Sequence, residues 1–114
     1  MAGQRERMPV ERAKLILSQP APSAERRMAA RRLGRFISDC THTEDERAEV
    51  TEFLKNLVRR DPTVGQLIVD QFAEIEAQDH GILTIQEERR YEGVHGGIVF
   101  RKEFAEIYAA HLHL

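Results

Sequence analysis

The chain has 114 residues, 41% hydrophobic and 32% charged, with a net charge of −2, a single cysteine and no tryptophan. That is the length of about one domain, enough to bury a core without staples, and one cysteine excludes a disulfide within the chain. No window approaches the roughly 20 apolar residues of a membrane span, so no membrane partner is expected.

The start, Met1-Ala-Gly-Gln-Arg-Glu-Arg, is charged and has no apolar run behind it, so no signal peptide is expected either. A lone thiol fits a reducing, cytoplasmic setting. The small net charge hides an asymmetry: residues 1–40 carry +5 and the remainder −7. A basic front and an acidic back can pair with one another or offer two different surfaces to partners.

Residues 1–8 read as a flexible N-terminus and 9–114 as a single helical domain. Pro9 suits the first turn of a helix, because its missing N–H costs nothing there. Val10, Ala13, Leu15, Ile16 and Leu17 then give a short helix ending near Gln19, and Pro20 and Pro22 forbid its continuation. Ser23 is the expected N-cap of a second helix running to about Cys40, with Ala29, Leu33, Phe36, Ile37 and Cys40 on one face.

Thr43 and Glu46 have the spacing of a capping box for a third helix, whose apolar face holds Val50, Phe53, Leu54, Leu57 and Val58. Acidic Glu44, Asp45 and Glu46 at its start and basic Arg59 and Arg60 at its end suit the helix dipole. Asp61-Pro62 repeats the start signal for a fourth helix, with Val64, Leu67, Ile68, Phe72 and Ile75 inward and Gly81 as its stop.

Beyond Gly81 two readings stand. Thr84 and Glu87 could cap a short helix through Tyr91, or 82–88 and 98–102 could pair as a small β-hairpin around Gly93, Gly96 and Gly97. A last helix from about Lys102 to Leu112 places Phe104, Ile107, Tyr108 and His111 on one stripe. The expected core is Leu15, Ile16, Ala29, Leu33, Phe36, Ile37, Val50, Phe53, Leu54, Leu57, Leu67, Ile68, Phe72 and Ile75.

Arg27-Met28-Ala29-Ala30-Arg31-Arg32-Leu33-Gly34 resembles the helix of a HEAT-type repeat. The helix from Val50 to Val58, followed by Arg60-Asp61-Pro62, looks like that family's second helix and its Asp-Pro turn. Placing Ala29 on Ile68 and Leu33 on Phe72 gives an offset of 39, close to the roughly 40–47-residue period of such repeats. The likeness implies a scaffold that binds other macromolecules and carries no chemistry. The fold class is therefore all-α: a small multi-helix bundle or HEAT-like antiparallel helix pairs, with the C-terminal hairpin left open.

Arg27, Arg31 and Arg35 fall at i, i+4 and i+8 on the second helix, with Arg32 flanking them, on a stripe turned away from Ala29, Leu33 and Phe36. One reading is a solvated face that pairs with the carboxylates of 44–52. A second is a dock for an acidic protein surface, through bidentate guanidinium contacts. The alternative is nucleic acid, and three features count against it: no aromatic residue interleaves the row, tryptophan is absent, and the pI is near 6.2.

His42, His111 and His113 match no zinc pattern, so no metal is expected. Glu92-x-x-His95 has the spacing of a dimetal carboxylate half-site without its second copy; bracketed by glycines, Glu92 and His95 make a candidate contact loop instead. Cys40 lies on an apolar stripe, as a small core residue does. No nucleophile, base and orienting group come together, so no enzyme activity and no cofactor are expected. The expectation is a protein-interaction module acting as adaptor, regulator or small inhibitor, with self-association left open.

Overall fold

The computed structural model describes residues 8–39, 41–82 and 102–113, with the fourth helix's side chains described as far as Gln78. These residues form five helices and no strand: α1 (Val10–Ser18), α2 (Ser23–Ser38), α3 (Glu44–Arg60), α4 (Pro62–Ile82) and α5 (Lys102–His111). The chain is an all-α helical bundle. None of these helices is long and apolar enough to cross a membrane.

The helix starts follow their cap chemistry. Thr43 Oγ1 accepts from the Glu46 N–H at 3.1 Å and Glu46 Oε1 accepts from the Thr43 N–H at 2.8 Å, so the capping box is complete. Asp61 Oδ1 accepts from the Val64 N–H at 3.2 Å, which caps α4 just ahead of Pro62. Two expected starts shift by one residue. Pro9 and Pro22, both extended, are the N-caps of α1 and α2, so Pro9 stands outside the first turn and Ser23 is the first helical residue. α2 stops at Ser38, short of Cys40, and α4 runs through Gly81 to Ile82.

Packing follows from which helices meet and in which sense. Arg26 reaches the Gln19 carbonyl and Arg32 the Met8 carbonyl, so α1 runs antiparallel to α2. Gly34 lies against Phe72 and Ile75, and Arg31 and Arg35 reach successive residues of α4, so α2 and α4 run parallel. Ion pairs Glu44–Lys102, Arg47–Glu103 and Lys55–Glu106 order α3 parallel to α5 in the same way. α2 and α4 thus form one layer. α3 and α5 form the other, and α1 reaches α3 where Lys14 lies 5.6 Å from the Phe53 ring centroid.

The core between the layers is closed by Leu17, Leu33, Leu54, Ile68, Phe72, Ile75, Phe104 and Ile107, all essentially inaccessible. Each such side chain contributes roughly 1.5–3 kcal/mol relative to exposure. Phe72 and Phe104 stack at 4.4 Å and tie α4 to α5. Gly34 is required by the α2–α4 crossing, since a Cβ there would sit 2.7 Å from Ile75 Cδ1 and 2.9 Å from Phe72 Cε1.

Most of the expected core is buried, with one reversal. Leu15 is 56% exposed, because α1 presents Ala13 and Leu17 to the core and Leu15 lies about 200° around the helix from each. Ile16, Phe36, Phe53 and Leu67 are partly buried at the margin, and Ala13, Leu17, Ala30, Val58, Val64, Phe104, Ile107 and Ala110 are interior positions the expected core omitted. Of the two readings for the C-terminal segment, Ile82 and Lys102 are helical; the rest of that segment lies outside the described residues, as does Cys40.

Candidate docking site

The arginine row runs along the seam between α2 and α4. Arg31 is its hub: Nη1 donates to Gln71 Oε1 at 3.1 Å and to Glu74 Oε1 at 3.0 Å, while Nη2 donates to Gln78 Oε1 at 2.9 Å. Arg35 Nη2 donates to the same Gln78 oxygen at 3.0 Å. The Arg31–Glu74 ion pair therefore lies across the layer, where the expected pairing was with the start of α3. At that start Glu44 faces Lys102 and Glu46 closes its own cap.

Arg32 turns the other way. Its Nε donates to the Met8 carbonyl at 2.6 Å, and its guanidinium carbon stands 6.0 Å from the Phe36 ring centroid. It is a tie between α2 and the segment before α1.

Arg27 differs from its neighbours. It is exposed and makes no hydrogen bond or ion pair among the described residues. It stands at the edge of an open groove of about 590 Å³ that includes Pro62, Thr63, Gln66, Leu67, Asp70 and Gln71. Gln66 Nε2 donates to Asp70 Oδ1 at 2.8 Å, so that carboxylate is held on its own helix. Half-buried Leu67 gives the groove an apolar component. Beside Arg27, Met28 is 60% exposed on the outer side of α2.

Of the expected contact residues, the structure brings Arg27, Arg31 and Arg35 to one seam, sends Arg32 to another, and leaves Glu92 and His95 outside the described residues. Sequence reasoning missed Met28. Its position on the arginine side of the wheel was the available signal.

The histidines have structural surroundings. His42 stacks on Phe36 at 3.8 Å, between Asp39 at 3.6 Å and Glu46 at 3.8 Å. The Glu46 carboxyl is held below its ordinary 4.5, mainly by the Thr43 backbone N–H and further by the Thr43 side chain and His42. His111 meets Gln66 Oε1 at 3.2 Å and closes over Gly65. No group of three or more potential metal ligands gathers among the described residues.

Comparison of the chain with known protein families, characterised proteins and solved structures finds no match.

Proposed function

We propose that the protein is a non-catalytic interaction module and that the outer face of α2, with the adjoining groove, docks an acidic protein segment. The observation that carries this reading is the contrast along one row of arginines. Arg31 is engaged by three side chains of α4, whereas Arg27, one turn earlier, is exposed and has no partner among the described residues, beside Leu67 and Met28. A guanidinium next to exposed apolar surface is the combination that protein interfaces favour at their anchors.

The same contrast weakens the nucleic-acid reading. Arg31 already faces a carboxylate and two amide oxygens, which compete with phosphate for its donors. The parallel stacking of α2 on α4 and of α3 on α5 also supports the HEAT-like layering that the sequence resembles, and with it a scaffold role.

The test is titration of the protein with fluorescein-labelled polyglutamate, followed by anisotropy. Binding that weakens several-fold in Arg27→Glu, with an unchanged melting temperature, supports the proposal. Equal binding by Arg27→Glu overturns it. Tighter binding of a DNA or RNA duplex than of polyglutamate would transfer the site to nucleic acid.

A further inference from the structure

The turn between α2 and α3 holds a histidine with a carboxylate beside each ring nitrogen. His42 Nε2 stands 3.6 Å from Asp39 Oδ2, just past the end of α2, and Nδ1 stands 3.8 Å from Glu46 Oε1 in the first turn of α3. The ring stacks on Phe36 of α2, with centroids 3.8 Å apart and planes 21° from parallel. The imidazole therefore bridges the end of one helix and the start of the next.

Its two protonation states do not suit these neighbours equally. A neutral imidazole has one N–H to donate and one lone pair, whereas imidazolium donates from both nitrogens. With acceptors on both sides, the neutral ring always turns a lone pair toward a carboxylate. Both gaps exceed the roughly 2.7–3.2 Å of a hydrogen bond, so each has room to close. The two carboxylates are held in place by the turn itself. Asp39 Oδ1 accepts from the Thr41 N–H and hydroxyl at 2.9 and 2.8 Å, and Glu46 Oε1 accepts from the Thr43 N–H at 2.8 Å. The Glu46 carboxyl, held below its ordinary 4.5, stays ionised through the range in which histidines change charge.

Two cations border the site. Arg32, 6.0 Å from the Phe36 centroid, donates to the Met8 carbonyl. Arg47 donates to the His42 carbonyl at 2.6 Å and to Glu103 of α5 at 3.4 Å, so it carries the position of the turn on to a third helix.

We propose that His42 is a proton-operated clasp: once protonated it bonds Asp39 and Glu46 together, fastening the end of α2 to the start of α3 and, through Arg47, steadying the first turn of α5. The charged ring gains both partners only in the folded chain, so the contribution is present in acid and lost as pH rises through the histidine range. The clasp is separate from the α2–α4 groove and stands or falls independently of what that groove binds.

Thermal melting of the full chain at about pH 6 and about pH 8 tests this, the two values bracketing the histidine range. Wild type is compared with His42→Gln and with Asp39→Asn/Glu46→Gln, in which the amides keep the shapes and glutamine still closes the capping box. The margin of wild type over His42→Gln should be about 2–4 °C larger in the acidic buffer. That difference should shrink at about 500 mM salt and vanish when His42→Gln is made in the carboxylate variant. A margin equal at both pH values, or larger at the higher one, overturns the proposal, as does a difference that survives loss of both carboxylates. Should a variant fail to fold, hydrogen exchange of the wild type decides, corrected for the intrinsic rate at each pH. The Thr43 and Glu46 amides should be several-fold better protected in acid while Val64, capped by Asp61, is unchanged. The same change at both caps, or none at Thr43 and Glu46, overturns it.

Discussion

Replacing Arg31 with alanine separates a fold-holding arginine from a binding one, and the cost follows from its three acceptors. The ion pair to Glu74 has a carboxylate that is 58% exposed, so it contributes no more than about 1 kcal/mol. Gln78 loses little, because Arg35 still donates to the same oxygen. Gln71 decides the outcome: it is 6% exposed, and its Oε1 loses the Arg31 donor, a loss of about 1–3 kcal/mol for a buried acceptor. The total is about 2–3 kcal/mol, or roughly 10 °C in melting temperature for a chain of this size. Urea unfolding of Arg31→Ala, Gln71→Leu and the double variant forms a cycle. The double variant should cost clearly less than the sum of the singles, because removing both partners leaves nothing unsatisfied. Arg27→Ala, with nothing to lose, should fall within about 0.5 kcal/mol of wild type. Equal losses for Arg27→Ala and Arg31→Ala, or additive singles, would refute the reasoning.

Three further outcomes are expected. Phe104→Ala removes one ring of the Phe72–Phe104 stack from a fully buried site and should cost about 3–5 kcal/mol by chemical denaturation. Gly34→Ala gains about 1 kcal/mol of helix propensity. It also forces a Cβ into Phe72, whose ring is backed by Phe104, so the urea midpoint should fall by the equivalent of about 1 kcal/mol. Thr43→Ala should lose about 1 kcal/mol of cap stability and let the Glu46 carboxyl move back up toward its ordinary value, read by NMR titration. Because that carboxyl is depressed in the folded state, its stabilising contribution is present above the unfolded value of 4.5 and is lost as pH falls through the lower folded one.

How much was legible in the sequence depended on whether the information was local. The capping box at Thr43 and Glu46 and the cap at Asp61 are written within four residues, and both are found as read. The inward faces of α2, α3 and α4 followed from helical spacing, because long helices repeat the pattern several times. α1 has only nine residues, and its run Leu15-Ile16-Leu17 fits more than one face, so the contact with α2 chose Leu17 over Leu15. The acceptors of Arg31 were out of reach for a different reason: Gln71, Glu74 and Gln78 lie 40 or more residues away, and amides on an exposed-looking helix carry no signal of pairing.

The crossing of α2 on α4 explains why two arginines one turn apart have different fates. Ala30 and Gly34 bring the helices close, and close approach places Arg31 within reach of the polar edge of α4. Since the helices run parallel, stepping back one turn from Arg31 to Arg27 also steps back one turn on α4, from Gln71 to Leu67. Where Arg31 meets an amide oxygen, Arg27 shares an open groove with Leu67, and the neighbouring carboxylate of Asp70 is already held by Gln66. The seam is therefore closed by hydrogen bonds through its middle and open at its beginning. That open end joins the groove, the Arg27 guanidinium, unpaired among the described residues, and the exposed Met28 on one stretch of surface. The proposed acidic segment, with one apolar contact, would supply what Leu67 denies Arg27.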